Sequence, residues 1–335
     1  MNLLIIGGTR FVGYLLAWRM LARGHRVTLF NRGNLPDPFG DRVTRLPGDR
    51  TTQDFQRLLA HKQFDAVIDF AAYTGADAQS AVDTLAGNIG HYVFISTGQV
   101  YLVRQNAPRP ARESDYDGPV MPEPPENHPD RNDWNYGIYK RAAEDVLMRA
   151  QATREFPETR LRIPMVNGER DFYRRIENYL WRLLDGGPLL LPDVGPQICR
   201  HVYGWEVIRA IELVLGNSQT HGMAYNICQQ EQLPLADLLA LFAKLLGTPA
   251  PHLVSIAPQA LAAGNMPLKS VSPFSDTWMS HLDPALAQRE LGFTHEPLER
   301  YLDKIVTSFL AQPPSDKPPG YARRAEELQL ARTAC

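Results

Sequence analysis

Short apolar runs alternate with amphipathic stretches through the first half of the chain. This rhythm is typical of βαβ units, and the unbroken hydrophobicity of the runs indicates strands that are covered on both faces. The predicted strands are 3–6, 26–31, 42–46, 66–70, 91–96 and 159–163, and the first predicted helix is 14–23. The pattern therefore predicts an α/β fold with a doubly wound parallel sheet.

Two segments interrupt this rhythm. Residues 104–133 are rich in proline, acidic residues and asparagine, which predicts a long loop beside the candidate site. Two interpretations of this loop stay open: a lid over a substrate, or a solvated insertion. After Gln312 the chain runs Pro-Pro-Ser-Asp-Lys-Pro-Pro-Gly and then becomes charged and helical at 321–332. Because the prolines cannot continue a helix, we expect residues 313–335 to form a C-terminal appendage.

Composition and charge narrow the class of partner. The 335 residues are 44% hydrophobic with a formal net charge of −2, which is typical of a packed globular protein. No long lysine and arginine run occurs, so we expect a small-molecule partner, and neither nucleic acid nor a membrane. No apolar run is long enough for a membrane span and no leader precedes the first strand, so we expect a cytoplasmic protein. Cys199, Cys228 and Cys335 lack metal-ligand spacing, so we expect reduced thiols and no metal.

A glycine-rich turn follows the first predicted strand and opens the first predicted helix. Backbone amides and the positive end of a helix meet at such a turn, where they favour an anion such as pyrophosphate. The position at the N-terminus, between a strand and a helix, makes a dinucleotide site the preferred interpretation. The predicted cofactor contacts of this turn are Gly7, Thr9, Arg10, Phe11, Val12 and Gly13.

The end of the second predicted strand bears on which dinucleotide binds. A carboxylate at this point accepts from the ribose 2′-hydroxyl and would repel a 2′-phosphate. This chain has Asn31 there, followed by Arg32, and Arg10 could approach from the glycine turn. Two guanidiniums suit forked contacts with phosphate oxygens, so NADP is preferred over NAD. NAD stays open, as does a solvated surface role for Arg32.

Tyr136 and Lys140 open a predicted helix and lie four residues apart, on the same helical face. A tyrosine phenol has a pKa of about 10, so it needs cationic neighbours before it can exchange protons near neutrality. Lys140 and an oxidised nicotinamide ring could supply that charge. The spacing therefore predicts a general acid/base tyrosine supported by a lysine.

The strand Tyr92-Val-Phe-Ile-Ser-Thr-Gly-Gln-Val-Tyr101, together with the glycine turn and the tyrosine and lysine, resembles the extended branch of the short-chain dehydrogenase/reductase superfamily. Arg10 replaces the middle glycine of that family's turn, as in atypical members that include epimerase/dehydratase-like proteins and chloroplast RNA-binding relatives. The resemblance implies a Rossmann-type fold and a catalytic hydroxyl at Thr97, with Ser96 as the neighbouring alternative. It also implies further cofactor contacts at Asp49, Arg50, Ala71 and Ala72, and substrate contacts at Asn167 and Arg200. The aromatic Tyr73 is a further candidate for the substrate pocket, and a position in the core stays open for it.

The resemblance also implies a domain plan. We expect an NAD(P)-binding domain over 1–165 and about 200–230, and a smaller C-terminal substrate-binding lobe over 166–199 and 231–312. A homodimer is expected, paired through 78–86 and the helix that begins near Tyr136.

The residues after Thr97 narrow the reaction. Sugar-nucleotide 4,6-dehydratases of this superfamily carry an acidic pair there, whereas this chain has Gly98-Gln99, so a 4,6-dehydratase is disfavoured. The expected function is an NAD(P)-dependent reductase or epimerase that transfers hydride at a hydroxyl or keto carbon of a sugar-like or nucleotide-linked substrate. A dinucleotide-fold protein that binds RNA or senses redox state without turnover stays open as the alternative.

Overall fold

The strands form one large parallel sheet and three short pairs in the computed structural model, which describes residues 1–195 and 197–334. In chain order they are β1 (Asn2–Ile6), β2 (Arg26–Asn31), β3 (Val43–Pro47), β4 (Ala66–Asp69), β5 (Tyr92–Thr97), β6 (Glu158–Ile163), β7 (Val166–Asn167), β8 (Leu189–Pro192), β9 (Ile198–Cys199), β10 (Val202–Tyr203), β11 (Ala224–Asn226), β12 (Leu233–Pro234) and β13 (Leu253–Ile256). Every predicted strand is confirmed to within one residue at each end.

The helices alternate with the strands through the first half of the chain. In chain order they are α1 (Phe11–Ala22), α2 (Asp54–Leu59), α3 (Gly75–Leu85), α4 (Gln99–Leu102), α5 (Arg131–Arg154), α6 (Arg175–Leu184), α7 (Gly204–Val214), α8 (Leu235–Leu246), α9 (Pro258–Ala263), α10 (Leu268–Val271), α11 (Ala285–Leu291), α12 (Leu298–Ala311) and α13 (Arg324–Ala334). The first helix begins three residues before its predicted start, because the end of the glycine turn is already helical.

The large sheet has the strand order β11–β6–β5–β4–β1–β2–β3, and its neighbouring strands are parallel. Consecutive strands run outward from β1 in one direction and from β4 in the other, so the order reverses between these two strands. Ile6 of β1 pairs with Phe30 of β2 and with Asp69 of β4. The register therefore brings the carboxyl ends of the three strands to one edge, where ligands of open parallel sheets bind. The predicted Rossmann-type α/β fold is confirmed.

The chain divides into two units by its internal contacts. The first comprises 1–164, 204–228 and 280–294, and the second comprises 165–203, 229–279 and 295–335. The predicted lobe boundaries differ from this division at 280–294, which belongs to the first unit. In this segment Leu282 forms a parallel β-bridge with Ala111 of the long loop. A segment from late in the chain therefore packs beside a loop of the first unit, which explains the difference.

The second unit contains the tail, which the sequence predicted to be an appendage. Arg324 and Glu327 of α13 are buried, and Ala331 of the same helix packs among the apolar side chains of β8 and β13. The prediction of an appendage is therefore wrong. Its charged residues suggested solvent, but they form buried ion pairs.

The predicted long loop is ordered by its own hydrogen bonds. The Gln105 amide donates to the Pro119 carbonyl at 2.8 Å, and the Met121 amide donates to the Val103 carbonyl at 2.8 Å. Helix α5 begins at Arg131, so the predicted loop extends three residues too far.

Three further features of the described residues bear on function. No helix in 1–195 or 197–334 is long and apolar enough to cross a membrane. Within the same ranges, no group of three or more His, Cys, Asp or Glu side chains could hold a metal ion. Cys199 and Cys228 are buried and form no disulfide, and Cys335 lies outside the described residues.

Candidate functional site

The glycine turn packs directly against the first turn of α1. Gly7 has a φ of 89°, a backbone conformation that favours glycine. A Cβ atom on Gly13 would lie 2.8 Å from the Gly7 carbonyl oxygen, so only glycine permits this approach. The first turn of α1 has no acidic residue, so its positive end suits a pyrophosphate. The other predicted contacts differ in exposure: Val12 is buried, Thr9 and Phe11 are half-buried, and Arg10 is exposed.

The end of β2 presents a positive side chain at the same edge of the sheet. The Asn31 side-chain oxygen accepts a hydrogen bond from the Gly33 amide at 2.8 Å, and Arg32 between them is exposed. Asp49, in the loop after β3, accepts from the amide and hydroxyl of Thr51. These hydrogen bonds lower the pKa of Asp49, and the nearby Arg32 charge lowers it further. Asp49 is therefore held as a carboxylate near Arg32.

Arg50, which was predicted to contact the cofactor, instead contacts a buried carboxylate of the protein. Its Nη1 lies 2.9 Å and 2.7 Å from the two carboxylate oxygens of Asp69. The Tyr92 hydroxyl donates to Asp69 at 2.6 Å. Burial acts to raise the pKa of Asp69, but Arg50 and Tyr92 hold it below its usual value. Arg50 thus neutralises a buried carboxylate.

Lys140 lies at the centre of the candidate site with only 2% of its surface exposed. Its ammonium donates to the carbonyl of Ala72 at 2.8 Å and to that of Ile95 at 2.8 Å, which fixes it between the loop after β4 and strand β5. It also lies 4.4 Å from the centre of the Phe94 ring. Burial lowers the pKa of Lys140 to about 8, well below the ordinary value for a lysine.

Tyr136 lies one helical turn before Lys140 and is half-buried. Its ring centre is 6.3 Å from that of Tyr73, whose ring is 5.2 Å from the Lys140 nitrogen. A Cβ atom on the intervening Gly137 would lie 2.5 Å from Val103 and 2.8 Å from the Gln99 carbonyl. This glycine therefore lets α5 approach the segment that follows Thr97.

Thr97 ends β5, and its hydroxyl accepts from the Gln99 amide at 3.3 Å. Ser96, the alternative hydroxyl, donates instead to the buried Glu144 carboxylate at 2.5 Å. The first unit thus brings the predicted residues Thr97, Tyr136, Lys140 and Tyr73 to the carboxyl end of the sheet, with Thr97 as the better placed of the two hydroxyls.

Two buried carboxylates beside the candidate site, Asp69 and Glu144, were not predicted from the sequence. Both are fully buried, and Arg162 donates to both oxygens of Glu144, with Nη2 at 2.6 Å from Oε2. Burial acts to raise the pKa of Glu144, and Arg162 holds it below its usual value. One signal was available, since Glu144 lies four residues after Lys140 and shares its helical face.

The two remaining predicted substrate residues lie in the second unit. Asn167 is buried, and its side-chain nitrogen lies 2.9 Å from Nδ1 of His201. Arg200 donates to the Gln230 carbonyl at 3.0 Å. Their contact with a substrate stays a prediction.

Comparison with known proteins identifies the family of the chain. The model of the NAD dependent epimerase/dehydratase family matches residues 3–89 and 83–228. The chain is 27% identical over 289 residues to the chloroplast stem-loop binding protein of 41 kDa b from Arabidopsis thaliana, covering 82% of this chain and 70% of that protein. It is 26% identical over 256 residues to 2'-dehydrokanamycin reductase from Streptomyces kanamyceticus, covering 74% of this chain and 68% of that protein.

Among solved structures, dTDP-glucose 4,6-dehydratase from Bacillus anthracis in complex with NAD has a TM-score of 0.72 and 17% identity, covering 93% of this chain and 97% of that one. At this identity the likeness shows the fold alone. The family match spans well over half of the sequence. The chain therefore belongs to the NAD dependent epimerase/dehydratase family of NAD-binding oxidoreductases.

Proposed function

We propose that this protein is an NADP-preferring reductase that converts a keto group of a sugar-like or nucleotide-linked substrate into a hydroxyl. The observation that carries the proposal is the buried Lys140 ammonium, one helical turn from the half-buried Tyr136 and beside the strand that ends in Thr97. The printed name of one relative, 2'-dehydrokanamycin reductase, supports reduction of a carbonyl.

The proposed chemistry assigns a role to each of the three residues. A bound nicotinamide dinucleotide would supply the hydride to the carbonyl carbon. The Tyr136 phenol donates its proton to the carbonyl oxygen, which becomes the product hydroxyl. The Thr97 hydroxyl orients that oxygen by a hydrogen bond. The Lys140 charge stabilises the phenolate that remains until a solvent proton restores it.

The position after Thr97 supports a reductase over a dehydratase. A Cβ atom on Gly98 would clash with the Ser280 side chain of the same unit, so no acidic residue could replace this glycine without a rearrangement. The elimination of water by a 4,6-dehydratase would therefore lack the acidic residue that those enzymes carry at this position.

Tyr136→Phe tests the proposed chemistry because it removes only the phenolic oxygen. We expect kcat with NADPH and a panel of keto sugars to fall by about 10²-fold or more, with little change in dinucleotide affinity. Tyr139→Phe is the matched control, since Tyr139 lies on the same helix and is 48% exposed. The measurement is nicotinamide absorbance, and undiminished turnover in Tyr136→Phe would refute the assignment.

The dinucleotide preference has its own test. Arg32→Ala is expected to weaken NADP binding by about tenfold and to leave NAD binding unchanged, because only NADP carries the 2′-phosphate. Arg26→Ala, at the exposed opposite end of β2, is the control. Equal effects of Arg32→Ala on both dinucleotides, measured by titration calorimetry, would contradict the preference.

RNA binding is the second candidate, favoured by the match to a chloroplast stem-loop binding protein over 82% of this chain. It predicts salt-dependent retention of RNA stem-loops, because such affinity rests on phosphate contacts. Retention of RNA by a protein that binds no dinucleotide would favour this candidate over the reductase.

We also propose that the protein is a homodimer through α3 and α5, which lie together in the first unit. Light scattering at micromolar concentration tests this, and a monomeric mass would contradict it.

A further inference from the structure

The Arg50 guanidinium connects the two ends of the loop between β4 and α3. At the β4 end it contacts both oxygens of Asp69, and at the α3 end its Nη2 donates to the Asp77 carbonyl at 2.9 Å. Its Nε lies 3.4 Å from the Asp77 carboxylate. The Arg50 side chain is 8% exposed, so these contacts are shielded from water.

The two carboxylates that contact Arg50 hold the backbone of this loop. Asp69 accepts from the amides of Ala71 at 2.7 Å and Ala72 at 2.9 Å. Asp77 accepts from the next two amides in the chain, at 2.9 Å each. The four consecutive amides of residues 71–74 are thus satisfied by two carboxylates that share one guanidinium.

This loop in turn carries groups that face the candidate site. The Ala72 carbonyl is one of the two acceptors of the Lys140 ammonium, at 2.8 Å. The next residue, Tyr73, places its ring 5.2 Å from the same ammonium and 6.3 Å from the Tyr136 ring. A displacement of the loop would therefore move an acceptor of Lys140 and an aromatic neighbour of Tyr136 together.

We propose that Arg50 is a positioning residue, which holds the segment 71–74 through Asp69 and Asp77 and thereby places Lys140 and Tyr73 for the reaction. The inference rests on the proposed function of Lys140. It replaces the cofactor contact that the sequence suggested for Arg50. The two roles differ in their consequences, because a cofactor contact governs dinucleotide affinity, whereas a positioning residue governs the rate at saturation.

Arg50 could affect Lys140 in two ways, through its charge and through the geometry of the loop that it holds. Asp69, Glu144 and Asp77 raise the pKa of Lys140, whereas burial and Arg50 lower it. Arg50→Lys keeps the positive charge but loses the forked contact with two carboxylates. It therefore perturbs the geometry of the loop with little change in net charge.

The test compares Arg50→Lys with Arg57→Lys, a matched control whose arginine forms an exposed ion pair with Asp54. We expect Arg50→Lys to lower kcat by about tenfold to hundredfold, with the dinucleotide dissociation constant unchanged. The control is expected to change neither quantity. A weakened dinucleotide affinity with kcat preserved in Arg50→Lys would overturn the proposal in favour of a cofactor contact.

A readout that does not depend on turnover separates this inference from the proposed function. Labelling by an amine reagent, followed by peptide mass spectrometry, measures access to Lys140. We expect faster labelling of Lys140 in Arg50→Lys than in the wild type or Arg57→Lys, and equal labelling would overturn the inference. If the wild type binds no dinucleotide but Lys140 is still labelled faster in Arg50→Lys, the proposed function is refuted and the role of Arg50 in holding the loop stands. If Arg50→Lys does not fold, Asp77→Asn replaces it with the same expected kcat and labelling changes.

Discussion

Both units bury arginine–carboxylate pairs, but the pairs have different neighbours. In the first unit, Arg50–Asp69 and Arg162–Glu144 flank the Lys140 ammonium and the strand end that carries Thr97. In the second unit, Arg182 donates to Glu327 at 3.0 Å and joins the tail helix α13 to α6. The same interaction thus lies beside the proposed reactive groups in one unit and joins a terminal helix to α6 in the other. The role of a buried ion pair therefore depends on which groups it holds in place.

The largest expected effect comes from removing the tail. Deletion of 313–335 removes Glu327, the ion-pair partner of the buried Arg182, and uncovers apolar side chains of β8 and β13. We expect the second unit to lose about 5 kcal/mol of stability, since breaking one buried pair costs about 3–5 kcal/mol. Dinucleotide binding by the first unit should persist. Denaturant unfolding followed by Trp fluorescence, with parallel dinucleotide titration, measures both, and an unchanged midpoint would contradict an anchoring role.

The next effect comes from Arg162→Met in the first unit. This change removes the short ion pair of the buried Glu144 and leaves it only the Ser96 hydroxyl and the more distant Arg160, at 3.8 Å. The expected loss is about 3–5 kcal/mol, accompanied by lower kcat, because Ser96 and Lys140 share the Glu144 environment. The double variant Arg162→Met/Glu144→Leu should recover most of the stability, since no unpaired charge remains. Stability losses that simply add in the double variant would show that the two side chains do not act as a pair.

The smallest expected effect concerns one buried histidine in each unit. Burial lowers the pKa of His91 to about 4 and that of His201 to about 3. The unfolded chain therefore binds more protons than the folded one below the ordinary histidine pKa of about 6.5, and stability falls as the pH drops. Between pH 7 and pH 5 each histidine should cost about 2 kcal/mol.

His201→Gln removes the contribution of the second unit to this pH dependence and leaves that of the first. Thermal unfolding at pH 7 and pH 5 measures the difference, with the exposed His61 changed to Gln as the control. A pH dependence that His201→Gln leaves intact would show that His201 is not a source of it.

Much of the fold and part of the site could be predicted from local sequence. The strands, the glycine turn, and the four-residue interval from Tyr136 to Lys140 depend on neighbouring residues and on helix periodicity, which a sequence displays directly. The role of Arg50 could not be predicted in this way. Its partner Asp69 is 19 positions away, and an arginine beside an expected cofactor turn is equally compatible with phosphate contact.

The order of the elements, the parallel sheet and the proposed pairing of Tyr136 with Lys140 could be predicted from hydrophobic periodicity and side-chain chemistry, whereas Thr97 was implied by the family resemblance. Three features became visible only in the folded chain: which charges are buried together, the place of 280–294 in the same unit as the sheet, and the packing of the tail on the second unit. Arg182 and Glu327 are 145 positions apart. The sign of a charge can be seen in the sequence, but its exposure and its partner depend on how distant segments pack.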